Sequence, residues 1–168
     1  MIATYKILTA QDIQLKVTRI AYQILEECPA DEEIFLLGIQ GSGAELASRI
    51  KKVLENIEGS PAVHFGVIEI HKKSPSTEAI QYSIPTQQLE NKLVILVDDV
   101  ANTGKTLFYA LSPLMTVQTK IVKIAVLVDR MHKTFPVRVD IVGMSLATTI
   151  QEHISVILNS EQEGAYLS

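Results

Sequence analysis

The chain has 168 residues, 47% of them hydrophobic, 20% charged and only 5% aromatic. That length holds one domain with a full aliphatic core and is short for two, and the hydrophobic share excludes a disordered chain. Fifteen basic against nineteen acidic residues give a net charge of −4, which excludes whole-molecule attraction to nucleic acid and leaves only a local basic patch as a means of binding it.

No apolar run approaches the roughly 20 residues of a membrane-spanning helix, and the opening MIATYKILTAQD lacks the basic-then-apolar order of a secretion signal. A cytoplasmic location is expected. Cys28 is the only cysteine, so no disulfide forms within the chain and no cysteine-built zinc site can be assembled from it.

In chain order, Thr9 and Asp12 have the form of a capping box with Asp in the acidic place. Ile13, Val17, Ile20, Ala21, Ile24 and Leu25 then recur at helical spacing, predicting a helix to about Glu27. Ile34 to Ile39 is a short apolar run that breaks at Gly41 and Gly43, after which Leu46, Ile50, Val53, Leu54 and Ile57 mark a second helical face. Ala62 to Ile70 and Leu93 to Val97 read as further strands, a helix follows from about Gly104, and Ile121 to Val128 is strand again. Later strands are predicted in VRVDIVG and ISVIL. Near-continuous apolar strands alternating with helices imply an α/β fold with a parallel sheet covered on both faces.

Between the third and fourth strands, His71 to Asn91 joins them without a helical stripe. A connection of about twenty residues is long for a compact domain, and such lengths serve as lids or binding loops. EAIQYSI within it has the pattern of one arm of a hairpin. The chain is therefore read as one domain, 1–168, with a lid loop over 71–91.

The stretch VILVDDVANTGKT, Val94 to Thr106, runs a greasy strand into two carboxylates and then into a phosphate-like turn. In open α/β sheets ligands bind beyond the carboxyl ends of the strands. Gly104 permits a tight turn, the amides from about Ala101 to Thr106 can converge on one anion, and Thr103 and Thr106 add hydroxyl donors. A nucleotide P-loop needs glycine where Asp99 stands. A dinucleotide fingerprint in GIQGSGAEL lacks its third glycine, since Leu46 holds that place. Two carboxylates beside a phosphate turn make sense if one sugar spans both: Asp98 and Asp99 accept from ribose hydroxyls while the turn holds the 5′-phosphate.

Hydrophobic strand, Asp98-Asp99, then Thr103-Gly104-Lys105-Thr106 resembles the phosphoribosyl pyrophosphate motif of type I phosphoribosyltransferases. Within that group TRIAYQILEE, LLGIQGSGAELASRI, VILVDDVANTGKT and AVLVDRMHKTFPVRVDIVG resemble, in the same order, segments of the bifunctional pyrimidine operon regulators that are also uracil phosphoribosyltransferases. The resemblance implies a five-stranded, mostly parallel sheet flanked by helices, with a small hood from the chain ends. It implies transfer of the phosphoribosyl group to a nucleobase, a pyrimidine such as uracil, with magnesium held mainly by substrate oxygens, in a homodimer or larger homo-oligomer.

Carried onto matching positions, the resemblance makes Asp98 and Asp99 catalytic and gives the phosphoribosyl group to Val100, Ala101, Asn102, Thr103, Gly104, Lys105 and Thr106. Gln40, Gly41, Ser42 and Gly43, with Lys72 from the lid, meet the pyrophosphate, and Asp129 and Arg130 lie near the base. The chain departs from the family pattern at Ser42 and Lys72, where arginine is usual, and at Met131 and Met144 in the base-side segments. These departures carry the alternative, a nucleotide-sensing regulator that contacts RNA with weak catalysis. Thr18 and Arg19 match a stretch that the regulators use near RNA, although an ordinary exposed helix face is the favoured reading there. His64, His71, His132 and His153 share no metal-ligand spacing, and only His132 lies near the suspected base site.

Overall fold

The structure, a computed structural model, describes residues 5–29, 32–71, 80–147 and 152–168. Lys72, expected to meet the pyrophosphate, lies outside the described residues. Strand β1 (Tyr5–Thr9) leads into helix α1 (Ala10–Glu27) through the capping box read from the sequence. Thr9 Oγ1 accepts from the Asp12 amide at 3.1 Å, and Asp12 Oδ2 accepts from the Thr9 amide at 2.9 Å. That hydroxyl also donates to the Asp12 carboxylate, which holds its pKa below the ordinary value. The buried stripe Ile13, Val17, Ile20, Ala21 and Ile24 is the predicted one.

After α1 come β2 (Ile34–Ile39), α2 (Ser42–Glu55), β3 (Val63–Glu69), β4 (Gln81–Tyr82), β5 (Leu93–Ala101), α3 (Lys105–Ala110), β6 (Ile121–Arg130), β7 (Ile141–Leu146), β8 (Ile154–Ile157) and β9 (Gly164–Leu167). The main sheet has the order β4-β3-β2-β5-β6-β7. Its five long strands are parallel, and β4 adds a short antiparallel sixth to the expected five. That addition comes from the long connection: Gln81–Tyr82, within the EAIQYSI segment expected to form a hairpin arm, returns antiparallel to the edge of β3. Tyr82 anchors the return by donating its hydroxyl to the Ala110 carbonyl at 2.5 Å, and burial pushes its pKa up.

Strand β2 is buried along its whole length because both of its neighbours and both faces are covered. One face packs α1 and α2 onto Leu36, Ile95 and Leu127. The other packs Leu107 and Ala110 of α3, with Leu89 and Leu114, onto Leu37, Leu96 and Val126. At the far edge, β7 would offer bare carbonyls. Lys16 donates to the Gly143 carbonyl at 3.1 Å and Arg19 to that of Val142 at 2.9 Å, so α1 covers this edge with side chains. Arg19, matched in sequence to a stretch near RNA, stays on the exposed face of α1 as expected, with its guanidinium donating to β7.

The chain ends form a second, antiparallel sheet in the order β1-β9-β8, which is the small hood. Arg49 of α2 fastens it. Its guanidinium meets both oxygens of Glu163, at 2.7 and 2.9 Å, and reaches Asn159 Oδ1 at 2.9 Å.

Candidate active site

Strand order alone selects one end of the sheet. From β2 the chain proceeds to β3 on one side and later to β5 on the other, so the carboxyl ends of β2 and β5 bound a topological switch point. Both predicted glycine turns lie there.

The turn after β5 begins earlier than its strand ends. β5 pairs with β2 only as far as Val97 against Gly38, then continues beside β6 through Asp98, Val100 and Ala101. The strand predicted to end at Val97 therefore carries both carboxylates into the crevice. Asp98 is buried at 3% exposure, and its Oδ1 accepts from the Asp99 amide at 3.0 Å; Asp99 and Val100 are half-buried. Gly104 takes φ +82°, a left-handed conformation that favours glycine, and α3 starts at Lys105. The Thr103 hydroxyl accepts from the Lys105 amide at 3.3 Å. A small cavity is lined by Asp98 and by Val100 through Leu107. It contains every residue assigned to the phosphoribosyl group from the sequence.

The turn after β2 is shorter. Gly41 adopts φ 86° and ψ −132°, and α2 begins at Ser42 with no side-chain cap on its first turn, leaving amide donors to face the crevice. Gly43 is the point of contact between the turns: a β-carbon there would sit 2.9 Å from Asp98 Oδ1 and from the Val97 carbonyl. Gln40 behaves differently from its neighbours. Its amide side chain donates to the Ile70 carbonyl at 2.7 Å, bracing the start of the long connection.

The end of β6 supplies a third wall. Asp129 is half-buried and Arg130 is 9% exposed, with its Nη1 donating to Asn102 Oδ1 at 3.0 Å. Asn102, Thr103, Arg130, His132, Lys133 and Thr134 line a cavity of about 310 Å³ beside the Gly104 turn. The larger cavity, about 350 Å³ around Cys28 and Gly59, lies away from all these residues. Sequence reasoning placed Asn102 with the phosphate alone, whereas it stands between the two pockets. It missed Lys133, whose contacts arise only because residues 133–137 fold back over Ala101 to Gly104. Met131 is exposed, and Met144 is partly buried against the core.

The comparisons with known proteins show the family and the fold. The family described as "Phosphoribosyl transferase domain" matches residues 4–161. The chain belongs to the phosphoribosyltransferase family and is a phosphoribosyltransferase of type I. Within it, the chain is 37% identical over 158 residues to the "Bifunctional protein PyrR" of Clostridium acetobutylicum, covering 90% of this chain and 88% of that protein. It is 35% identical over 167 residues to the protein of the same name from Corynebacterium glutamicum, covering 93% and 86%. The fold matches that of a crystallised hypoxanthine-guanine phosphoribosyltransferase from Bacillus anthracis with a TM-score of 0.70 at 18% identity, covering 84% of this chain and 82% of that one. A hypoxanthine phosphoribosyltransferase from Staphylococcus aureus gives the same TM-score at 20% identity, covering 87% and 80%.

Proposed function

We propose that this phosphoribosyltransferase acts on a pyrimidine, uracil first, and that the described crevice holds phosphoribosyl pyrophosphate in one orientation. The observation that carries the proposal is the place of Asp98 at the switch point, packed against Gly43 of one glycine turn and lining the same small cavity as the Gly104 turn. Asp98 and Asp99 accept from the ribose hydroxyls. The amides and hydroxyls of Ala101 to Thr106 hold the 5′-phosphate, with Val100 at the strand end. Gly41 to Gly43 hold the pyrophosphate through backbone amides, and Gln40 keeps that turn in register with the connection. Arg130 and Asn102 face the base, while Asp129 supports that wall.

As the bond from C1′ to pyrophosphate lengthens, positive charge develops on the ribosyl ring. Carboxylates fixed at its hydroxyl edge stabilise that charge more than they stabilise the neutral ground state, which lowers the barrier. A ring nitrogen of the base bonds to C1′ as the bond from C1′ to the pyrophosphate oxygen breaks; the proton of that nitrogen passes to solvent, and pyrophosphate leaves toward the first turn of α2.

Magnesium fits the donor set. Among the described residues no cluster of three or more His, Cys, Asp or Glu side chains can hold an ion alone, and hard carboxylate oxygens at Asp98 and Asp99 suit an ion carried mainly by substrate oxygens. When bound, it supplies charge neutralisation for the departing pyrophosphate. We also read the protein as a cytoplasmic homodimer or larger homo-oligomer. The RNA-contacting alternative draws no support from Arg19, which is engaged with β7.

Incubation with phosphoribosyl pyrophosphate, magnesium and a nucleobase panel tests the reading. Pyrophosphate release with uracil above the other bases is expected. Release with a purine alone overturns the pyrimidine assignment, and silence with every base overturns turnover at this site.

A further inference from the structure

The ammonium of Lys133 has three donors, and the structure gives it three acceptors. They are the Asp129 carboxylate, the Arg130 carbonyl at 2.7 Å and the Ala101 carbonyl at 3.3 Å. Ala101 is the last residue of β5 and Arg130 the last of β6, so one side chain ties together the ends of the two strands that carry the phosphate turn and the base wall. The aliphatic stem takes part as well: a β-carbon at Gly104 would come within 3.3 Å of Lys133 Cδ. The Thr134 and Phe135 amides then donate to the Thr103 carbonyl at 3.0 and 3.1 Å, and Phe135 packs on Phe108 of α3 at 5.5 Å. The segment after β6 is laid onto the phosphate turn by backbone, charge and ring contacts together.

The geometry points to Lys133 as a positioning residue that fixes the distance between the base wall and the 5′-phosphate turn. This rests on the site reading given above. A ligand that spans both halves, a nucleoside monophosphate, depends on that distance. A ligand confined to one half, ribose 5-phosphate, does not. The same geometry gives Asp129 its part: it holds the lysine instead of the base, and acts through it.

The test is a pair of binding titrations, uridine 5′-monophosphate and ribose 5-phosphate, on the full chain and on Lys133→Met, which keeps most of the stem and removes the charge. The variant is expected to lose about tenfold in affinity for the nucleotide and less than about threefold for ribose 5-phosphate, since misplacement penalises only the ligand that needs both walls. Asp129→Asn, which is isosteric and puts the fold at less risk, is expected to show the same split. Asp129→Asn combined with Lys133→Met is expected to bind the nucleotide no more weakly than Lys133→Met alone, because two residues acting as one unit are not additive. Equal losses for the two ligands, or additive losses in the double variant, overturn the inference while leaving the site reading in place. Failure of the unmodified chain to bind ribose 5-phosphate overturns the site reading and this inference with it.

Discussion

Two strand-to-helix turns meet at the centre of this crevice, and they are built in opposite ways. The turn after β2 is short, relies on Gly41 and Gly43, and leads into a 14-residue helix. It presents backbone amides, and Ser42 stands where a cation would extend its reach. The turn after β5 is long, carries two carboxylates on a strand that outlasts its neighbour, leads into a helix of only six residues, and is braced from outside by Lys133. Fixed amide dipoles suffice for a highly charged group such as pyrophosphate. On the proposed reading the ribosyl ring gains positive charge only in the transition state, so ionised acceptors at its hydroxyl edge serve catalysis more than binding, and burying them calls for support from neighbouring segments.

The comparison breaks most readily at the acids. Asp99→Asn is expected to slow turnover on the order of 100-fold, the usual scale for losing one preorganised electrostatic partner of a developing charge. Ser42→Ala removes at most one neutral hydrogen bond and is expected to cost less than about fivefold. Pyrophosphate release checks both, and similar losses would mean that the two turns are not divided in this way. Next in size is Gly43→Ala. Its new β-carbon would lie 2.9 Å from both a strand carbonyl and the buried Asp98, neither of which has room to retreat, so a loss of about 2 kcal/mol in denaturant unfolding is expected. Gly104→Ala has more space, 3.3 Å to the Lys133 stem and 3.5 Å to Val137, and is strained mainly by its positive φ, at about 1 kcal/mol. The reverse ranking would show that the contact between the turns is loose.

How much of this was legible in the sequence follows from how local each feature is. The capping box at Thr9, the stripe of α1 and the bounds of β2 depend on neighbours a few residues apart, and the sequence carries them directly. The doublet and the Gly104 turn were legible because their chemistry is contiguous. The extension of β5 past Val97 was not, since two aspartates end most strand patterns and only pairing with β6 keeps them extended here. β1 and β9 went unread for a similar reason: each is a short strand whose partner lies at the other end of the chain. Lys133 gave no signal, because its role depends on where a loop with no periodicity returns.

A smaller change sharpens the comparison from the other side. Ser42→Arg adds a planar cation to the turn that has only amides, and a charge-assisted pair with pyrophosphate is expected to tighten its binding by about tenfold. Calorimetric titration of pyrophosphate onto the full chain and the variant measures this. Unchanged affinity would place pyrophosphate away from the α2 turn and remove one side of the contrast.

The smallest effect concerns what steadies α2 while its amides remain uncapped. Arg49 holds Glu163 of the hood, and its hydrogen bond keeps that carboxyl below the ordinary glutamate range. A carboxylate with a depressed native pKa contributes stability above its unfolded pKa and loses it as pH falls through the native value. Glu163→Gln is therefore expected to be less stable than the unmodified chain by about 1 kcal/mol near neutral pH, the upper end for a part-exposed pair. The difference should close on acidification through the carboxylate range, because only the unmodified chain has the bond to lose. Unfolding curves at several pH values read this directly. A gap that persists at acid pH would mean that packing, not the ion pair, fastens the hood to α2.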